Sequence, residues 1–226
     1  MNDLHSPLKP LSSSLKIFGL LFYIAFAVLL ISIAKGDVVL WLTHHQTGVL
    51  NVFFKYITHV GDGFVLIPLA LVMMYRSWMH FIALLLATII QTIIVQLGKQ
   101  WLFASVVRPR LFFAEQGIAL NFIEGVDVHG FHSFPSGHTA VAFTMAAILI
   151  MFSSSKSFQW FWFVLAILVG LSRVYIHQHF AVDVFAGSLI GLLSGYLTYL
   201  ILGRKNLKTK FNKGLKDYLR IAPSHN

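Results

Sequence analysis

Long apolar segments alternate along this chain with short polar connections, which is the pattern of a protein built from membrane-spanning helices. Six segments stand out, at residues 15–34, 60–75, 81–97, 139–152, 158–171 and 182–202. Several are shorter than the ~20 residues that cross a bilayer unaided, so we expect their flanking residues to continue the helices. The pattern predicts an all-α integral membrane bundle of six transmembrane helices, forming a single domain over residues 1–226.

The composition supports a membrane protein over a soluble domain. Of the 226 residues, 57% are hydrophobic and 11% are charged, and the mean hydropathy is +0.76. A soluble domain carries about 25% charged residues. The first apolar segment exceeds the core of about 7–15 residues found in signal peptides, which predicts an uncleaved membrane anchor. The chain has no cysteine, so disulfide and thiolate chemistry are excluded.

Positive charge is concentrated at the C-terminal end of the chain. The formal net charge is +9, and seven of the 17 lysines and arginines follow residue 203. A basic tail directly after an apolar span is typical of a cytoplasmic segment beside anionic lipid, and this placement argues against nucleic acid as a partner. The excess of lysine and arginine on the side of the termini predicts that both termini, and the tail at about 204–226, are cytoplasmic.

Three polar stretches stand at the ends of apolar segments. Two membrane crossings separate the connection at residues 99–138 from the connection at residues 172–183, so we expect both on the same, outward-facing side. The stretches are Lys99 with Arg108-Pro109, then Pro135-Ser136-Gly137-His138, then Ser172-Arg173 with His179 and Asp183. Span parity therefore predicts that all three contribute to one site at the membrane surface.

The second stretch has the features of an anion site at a helix start. Ser136 is of the type preferred as N-cap, and Gly137 lets the backbone approach a ligand closely. The unpaired N–H groups and the positive dipole end of the following helix suit an anion, and His138 is placed there to protonate a leaving oxygen. The alternative is an ordinary capped helix with an incidental histidine.

The third stretch pairs an imidazole with a carboxylate. His179 and Asp183 are four residues apart, so we expect them on one face where the last span begins. The carboxylate would fix the tautomer and leave the other ring nitrogen as a nucleophile. Arg108 and Arg173 offer forked donors that match phosphate geometry, and Lys99 adds a point charge. Together these groups indicate phosphoryl-transfer chemistry, which depends on positioning and fixed cations.

Other features are interpreted structurally. No His-x3-His pair stands beside carboxylates on one predicted helix, and His177 and His179 would point to different helical faces, so we expect no metal and no cofactor. The four-residue period of Gly187, Gly191 and Gly195 predicts close packing against another helix, without a catalytic role.

With these motifs assembled, the chain resembles the type-2 phosphatidic acid phosphatase superfamily, which includes bacterial membrane lipid phosphatases. The family signature Pro-Ser-Gly-His is matched at residues 135–138, and the signature Ser-Arg-x5-His-x3-Asp is matched at residues 172–183. The remaining signature, Lys-x6-Arg-Pro, is matched with a departure, because eight residues separate Lys99 from Arg108 instead of six.

The resemblance implies a metal-independent phosphatase. His179 would attack phosphorus and form a phosphohistidine, Asp183 would orient His179, and His138 would protonate the leaving group and later activate water. The implied phosphate-binding residues are Lys99, Arg108, Ser136, Gly137 and Arg173.

The implied substrate is the phosphomonoester or diphosphate of a membrane lipid, on the outer side of a bacterial plasma (inner) membrane. Undecaprenyl diphosphate, phosphatidylglycerol phosphate, phosphatidic acid and lipid A phosphate all fit, and we expect the loop at 111–133 to cover the site. A lipid phosphotransferase using the same site is an alternative, as is a non-enzymatic transporter with Gln91, Thr92 and Gln96 along its path. The sequence leaves open which lipid is bound, whether phosphate is hydrolysed or transferred, and the oligomeric state.

Overall fold

The computed structural model describes residue 9, residues 11–203 and residues 213–219, and within these residues every regular element is helical. Most of the predicted basic tail at about 204–226 lies outside the described residues. The α-helices, α1 to α10 in chain order, are Ser13–Ser32, Asp37–His44, Gly48–Ile57, Leu66–Arg76, Trp78–Leu97, Pro109–Ala114, Gly137–Met151, Lys156–Tyr175, Ala181–Leu202 and Leu215–Leu219. Two 3₁₀ turns, Thr58–Gly61 and Gly63–Val65, join α3 to α4, and a π-helical turn, Gly98–Leu102, continues α5.

The long helices account for most of the predicted spans. Among the described residues, four helices are long and apolar enough to cross a membrane, namely α1, α5 with its π turn, α8 and α9. A fifth candidate is the pair formed by α3 and α4 with their 3₁₀ turns, which is bent by 57°. Helix α7 is apolar but has only 15 residues. The all-α bundle is confirmed, whereas the count of six spans and the outward orientation of the site stay predictions.

Helix α7 lies at the centre of the bundle and packs against α5, α8 and α9. Its side chains are apolar or small on nearly all sides, as expected of a helix enclosed by other helices. Ala140, Phe143 and Ile148 are fully buried. The outer helices instead leave many large apolar side chains exposed, on α1, α5 and α9 in particular. This distribution suits a bundle whose outside contacts hydrocarbon.

The second predicted span differs most from the structure. The sequence places it at residues 60–75, but its helical structure begins in α3 and bends at Gly61–Gly63. Lys55 interrupts the apolar pattern of α3, and its Nζ donates to the Glu124 carbonyl at 2.8 Å. At the bend, Asp62 Oδ1 accepts a hydrogen bond from the Phe64 N–H at 3.4 Å, which caps the following turn.

The glycine strip of α9 lies against α7, which confirms its predicted packing role. A Cβ added at Gly191 would lie 2.6 Å from the Ala140 carbonyl oxygen and 2.7 Å from Phe143 Cβ. Such contacts are too short for a side chain larger than hydrogen. Close approach of these two helices therefore depends on glycine at residue 191.

We predict that Gly191→Ala destabilises the bundle by ~1–3 kcal/mol, because the new methyl group overlaps backbone atoms of α7. Gly48→Ala is the matched control, since a Cβ there meets nothing within 4 Å. Thermal unfolding of both variants in detergent, followed by circular dichroism, tests this. Equal midpoints for the two variants would contradict the packing argument.

Candidate active site

The three polar stretches meet at one end of the bundle. Ser133 Oγ, just before the second stretch, donates to Asp183 Oδ2 at 2.5 Å, and the Ser136 N–H donates to the Asp183 carbonyl at 3.0 Å. Lys99 Nζ donates to the His132 carbonyl at 3.2 Å. These contacts join the end of α5, the start of α7 and the start of α9. Span parity predicted this common location.

His179 and Asp183 form a buried pair. His179 Nδ1 lies 3.3 Å from Asp183 Oδ2, and both side chains are almost inaccessible to solvent. The same carboxylate oxygen accepts from Ser133 Oγ and, at 2.9 Å, from the Phe180 N–H. An ionised carboxylate only accepts hydrogen bonds, so Nδ1 carries the proton and Nε2 keeps its lone pair.

The expectation that this pair shares a helix face is wrong in detail. Helix α9 begins at Ala181, so His179 precedes it and Asp183 lies in its first turn. The carboxylate reaches back to the Phe180 N–H, as acidic residues do at a helix N-terminus. The predicted contact between His179 and Asp183 is therefore present. Asp183 makes it from the first turn of α9, and His179 makes it from the connection before that helix.

The environment of His179 favours the neutral imidazole. Burial lowers its pKa to about 3, and the nearby cations Arg108 and Arg173 act in the same direction, whereas Asp183 opposes the shift. A neutral ring with a free Nε2 lone pair is the form that a nucleophilic histidine requires.

Arg108 is buried and held in place by backbone oxygens. Its Nε donates to the Phe131 carbonyl at 2.8 Å, and its Nη1 donates to Gln178 at the carbonyl oxygen and Oε1, at 3.1 and 2.7 Å. Burial lowers the Arg108 pKa below its ordinary value, and Asp183 opposes this shift. Because these bonds fix the guanidinium group, its remaining N–H donors point in a defined direction.

Arg173, at the end of α8, is equally buried. Its Nη1 donates to Thr58 Oγ1 at 2.7 Å. Its Nε is buried and has no hydrogen-bond partner in the described part of the chain. A buried donor without a protein partner is unusual, and this one is available to bind an anion.

Lys99 reaches the site despite its departure from the family spacing. It lies on the π turn that continues α5, and it interacts electrostatically with Arg108, Arg173 and Asp183. His132 Nδ1 lies 3.0 Å from the Lys99 carbonyl, so the two residues contact each other twice. The irregular end of α5 accommodates the longer connection.

The residues Ser136, Gly137 and His138 open α7. Ser136 occupies the N-cap position, as predicted, but its hydroxyl lies 2.8 Å from Thr139 Oγ1 and makes no capping bond to the backbone. His138 interacts electrostatically with Lys99, Arg108, Arg173 and Asp62, which places its side chain among the predicted cations.

The bend between α3 and α4 also belongs to the site, which the sequence analysis missed. Besides the bond from Arg173 to Thr58, Asp62 interacts electrostatically with Arg173 and His138. A Cβ at Gly61 would lie 2.6 Å from the His138 carbonyl oxygen, so only glycine allows this approach. In the sequence, this bend was indicated only by Asp62 standing between Gly61 and Gly63.

The loop at 111–133 supplies further support. Its carbonyl groups at Phe131 and His132 accept from Arg108 and Lys99, and its Asp127 carbonyl accepts from Gln178 Nε2 at 2.6 Å. Within the described ranges, no group of three or more His, Cys, Asp or Glu side chains is arranged to hold a metal ion.

Comparison with known proteins gives one family. The family model of the PAP2 superfamily matches residues 80–207. Phosphatidylglycerophosphatase B of Bacillus subtilis is 30% identical over 183 residues, covering 74% of this chain and 79% of that protein. The bacitracin transport permease protein BcrC of Bacillus licheniformis is 40% identical over 68 residues, and this match spans only 32% of that relative's length.

Two crystal structures are similar to the bundle. LpxE of Aquifex aeolicus superposes with a TM-score of 0.65 at 28% identity, covering 74% of this chain and 94% of that one. A transmembrane PAP2-type phosphatidylglycerolphosphate phosphatase of Bacillus subtilis gives a TM-score of 0.61 at 26% identity, with 82% and 94% covered.

We predict that Thr58→Val weakens anion binding roughly tenfold or more, because it removes the hydroxyl acceptor that positions the Arg173 guanidinium group through Nη1. Thr58→Ser keeps the hydroxyl and should bind like the unmodified chain. Orthovanadate, a phosphate analogue, is a suitable probe, and its binding is read from the rise in unfolding temperature. Wild-type vanadate affinity in Thr58→Val would show that this bond does not position Arg173.

Proposed function

This chain belongs to the PAP2 superfamily, as its motifs predicted, and on that premise we propose that it is a membrane lipid phosphatase with His179 as nucleophile. The observation that carries this proposal is the buried His179–Asp183 pair among the buried cations Arg108 and Arg173. The pair supplies an oriented neutral imidazole, and the cations supply charge for a phosphate group.

In the first step, His179 Nε2 attacks phosphorus while the bond to the lipid oxygen breaks. His138 donates a proton to that leaving oxygen, and His179 becomes a phosphohistidine. In the second step, His138 removes a proton from water, whose oxygen attacks phosphorus and breaks the P–N bond. Inorganic phosphate leaves, and both histidines regain their starting protonation.

The remaining predicted residues would stabilise the transferred group. Its charge is spread over three equatorial oxygens, which fixed donors stabilise without rearrangement during the reaction. We assign this role to Lys99, Arg108 and Arg173, together with the backbone at Ser136–Gly137, where α7 begins. The support for this set is that Lys99, Arg108 and the Ser136 N–H interact with Asp183. Arg173 in turn interacts electrostatically with Arg108 and Lys99.

The substrate that we propose is the phosphomonoester or diphosphate of a membrane lipid. The candidate site lies where apolar helices end, so a head group would reach it while the lipid tail stays in hydrocarbon. Relatives carry the names phosphatidylglycerophosphatase B, undecaprenyl-diphosphatase and lipid A 1-phosphatase, and these lipid phosphates are the substrates to test first.

We also propose six spans, with the site on the outer face of a bacterial plasma membrane and the termini in the cytoplasm. This arrangement counts the bent pair α3–α4 and the short helix α7 as spans. The orientation is supported by the sequence, because the segments that six spans would place with the termini carry the excess of lysine and arginine.

We predict that the purified chain releases phosphate from these lipids in detergent with excess chelator, and that His179→Ala lowers the rate at least ~10³-fold by removing the nucleophile. His129→Ala, an exposed histidine in the loop, is the matched control and should retain full activity. A radiolabelled substrate should leave an acid-labile phosphoprotein, absent in His179→Ala.

Three outcomes would contradict this proposal. Full activity in His179→Ala would exclude the nucleophile, and complete loss with chelator would exclude the metal-independent mechanism. Transfer of the label to a second lipid, with little free phosphate, would instead identify a phosphotransferase.

A further inference from the structure

An apolar groove lies at the end of the bundle opposite to the candidate active site. It has a volume of about 840 Å³, within the roughly 300–1,000 Å³ of typical ligand sites. Its walls come from the first half of α1, the last part of α7 and the second half of α9. Tyr199 on this wall is roughly 27 Å along α9 from the start of that helix beside the site. The groove is therefore separate from the phosphate chemistry.

Helix α1 is attached to the rest of the bundle in two ways. Hydrogen bonds hold the chain at its N-terminal end, and aromatic side chains further along the helix contact α8. The Lys9 N–H donates to the Met151 carbonyl at 2.8 Å, and the Ser12 N–H donates to Gln159 Oε1 at 3.0 Å. Further along, Phe18 and Phe22 make edge contacts with Phe163. Leu15 is buried against α7 between these attachments. Beside it, a space between α1, α7 and α9 is lined mainly by apolar side chains.

Positive charge stands at one end of this groove. Lys9 and Lys16 are among its lining residues, at the N-terminal end of α1, and no acidic side chain is among those residues. Tyr196 and Tyr199 line the opposite wall, and tyrosine is the residue type enriched where hydrocarbon meets head groups. The groove thus combines an apolar wall with two lysines and no acidic side chain among its described lining residues.

We infer that this groove binds an anionic phospholipid, with an acyl chain along the apolar wall and the head-group phosphate against Lys9 and Lys16. Charge complementarity favours this occupant, because a zwitterionic lipid fills the same wall but gains less from two lysines. Each basic residue near anionic lipid contributes roughly fivefold to affinity. This site is distinct from the proposed phosphatase site and does not depend on its chemistry.

The test compares phosphatidylglycerol and phosphatidylcholine with identical acyl chains. Phosphatidylglycerol carries a phosphodiester and so lacks the terminal phosphate of the proposed substrates, and His179→Ala as background removes turnover. Native mass spectrometry of the full chain from mixed micelles measures how much of each lipid is retained. We expect phosphatidylglycerol to be retained about twentyfold better than phosphatidylcholine, with about fivefold from each lysine.

Three variants and one control separate the head-group contact from the groove. Lys16→Gln should lower phosphatidylglycerol retention about fivefold and Lys9→Gln with Lys16→Gln about twentyfold, with phosphatidylcholine unchanged. Lys35→Gln, just past the other end of α1, is the matched control and should retain phosphatidylglycerol normally. Gly19→Leu places a side chain in the groove and should lower retention of both lipids. Circular dichroism confirms that each variant is folded.

Any of three results would overturn the inference. Equal retention of the two lipids by the parent chain, or unchanged phosphatidylglycerol in the double lysine variant, would remove the head-group contact. Loss in the lysine variants with normal retention in Gly19→Leu would place the lipid on the surface outside the groove.

Discussion

The carboxylate of Asp183 is the interaction on which the candidate site depends. Its Oδ2 accepts hydrogen bonds from Ser133, from the Phe180 backbone and from His179, while its own carbonyl accepts from the Ser136 N–H. A buried charge is tolerated only when paired and hydrogen-bonded. By meeting that requirement, Asp183 joins the loop before α7, the start of α7 and the start of α9 at one point.

The charges around Asp183 do not balance without a ligand. Arg108 and Arg173 are both buried and interact with each other, and Lys99 adds a third positive group nearby. Against them stand Asp183 and, at the bend, Asp62. Like charges held close in a low-dielectric site repel one another, so a bound phosphate relieves a cost that folding imposes. The same imbalance that disfavours the empty site favours an anionic substrate.

The sequence predicted what short-range rules determine and missed what tertiary contact determines. The apolar period indicated the long helices because hydrocarbon tolerates few polar groups, and fixed motif spacing singled out His138, Arg173 and His179 as candidate site residues. Thr58 gave no such signal, since its partner Arg173 is 115 residues away. The bend at Gly61–Gly63 gave no clear signal, because Asn51 and Lys55 interrupt the apolar pattern of α3 and the sequence alone does not mark α3 as part of a span.

The helices that carry the candidate site are packed more closely than α1. All eight predicted site residues lie on α5, α7, α8, α9 and the connections between them, and the central position of α7 fixes the geometry of this set. Helix α1 contributes none of them and leaves most of its surface exposed. Substitutions in α1 can therefore alter lipid contacts without moving the imidazoles, because no bond described in the site passes through that helix.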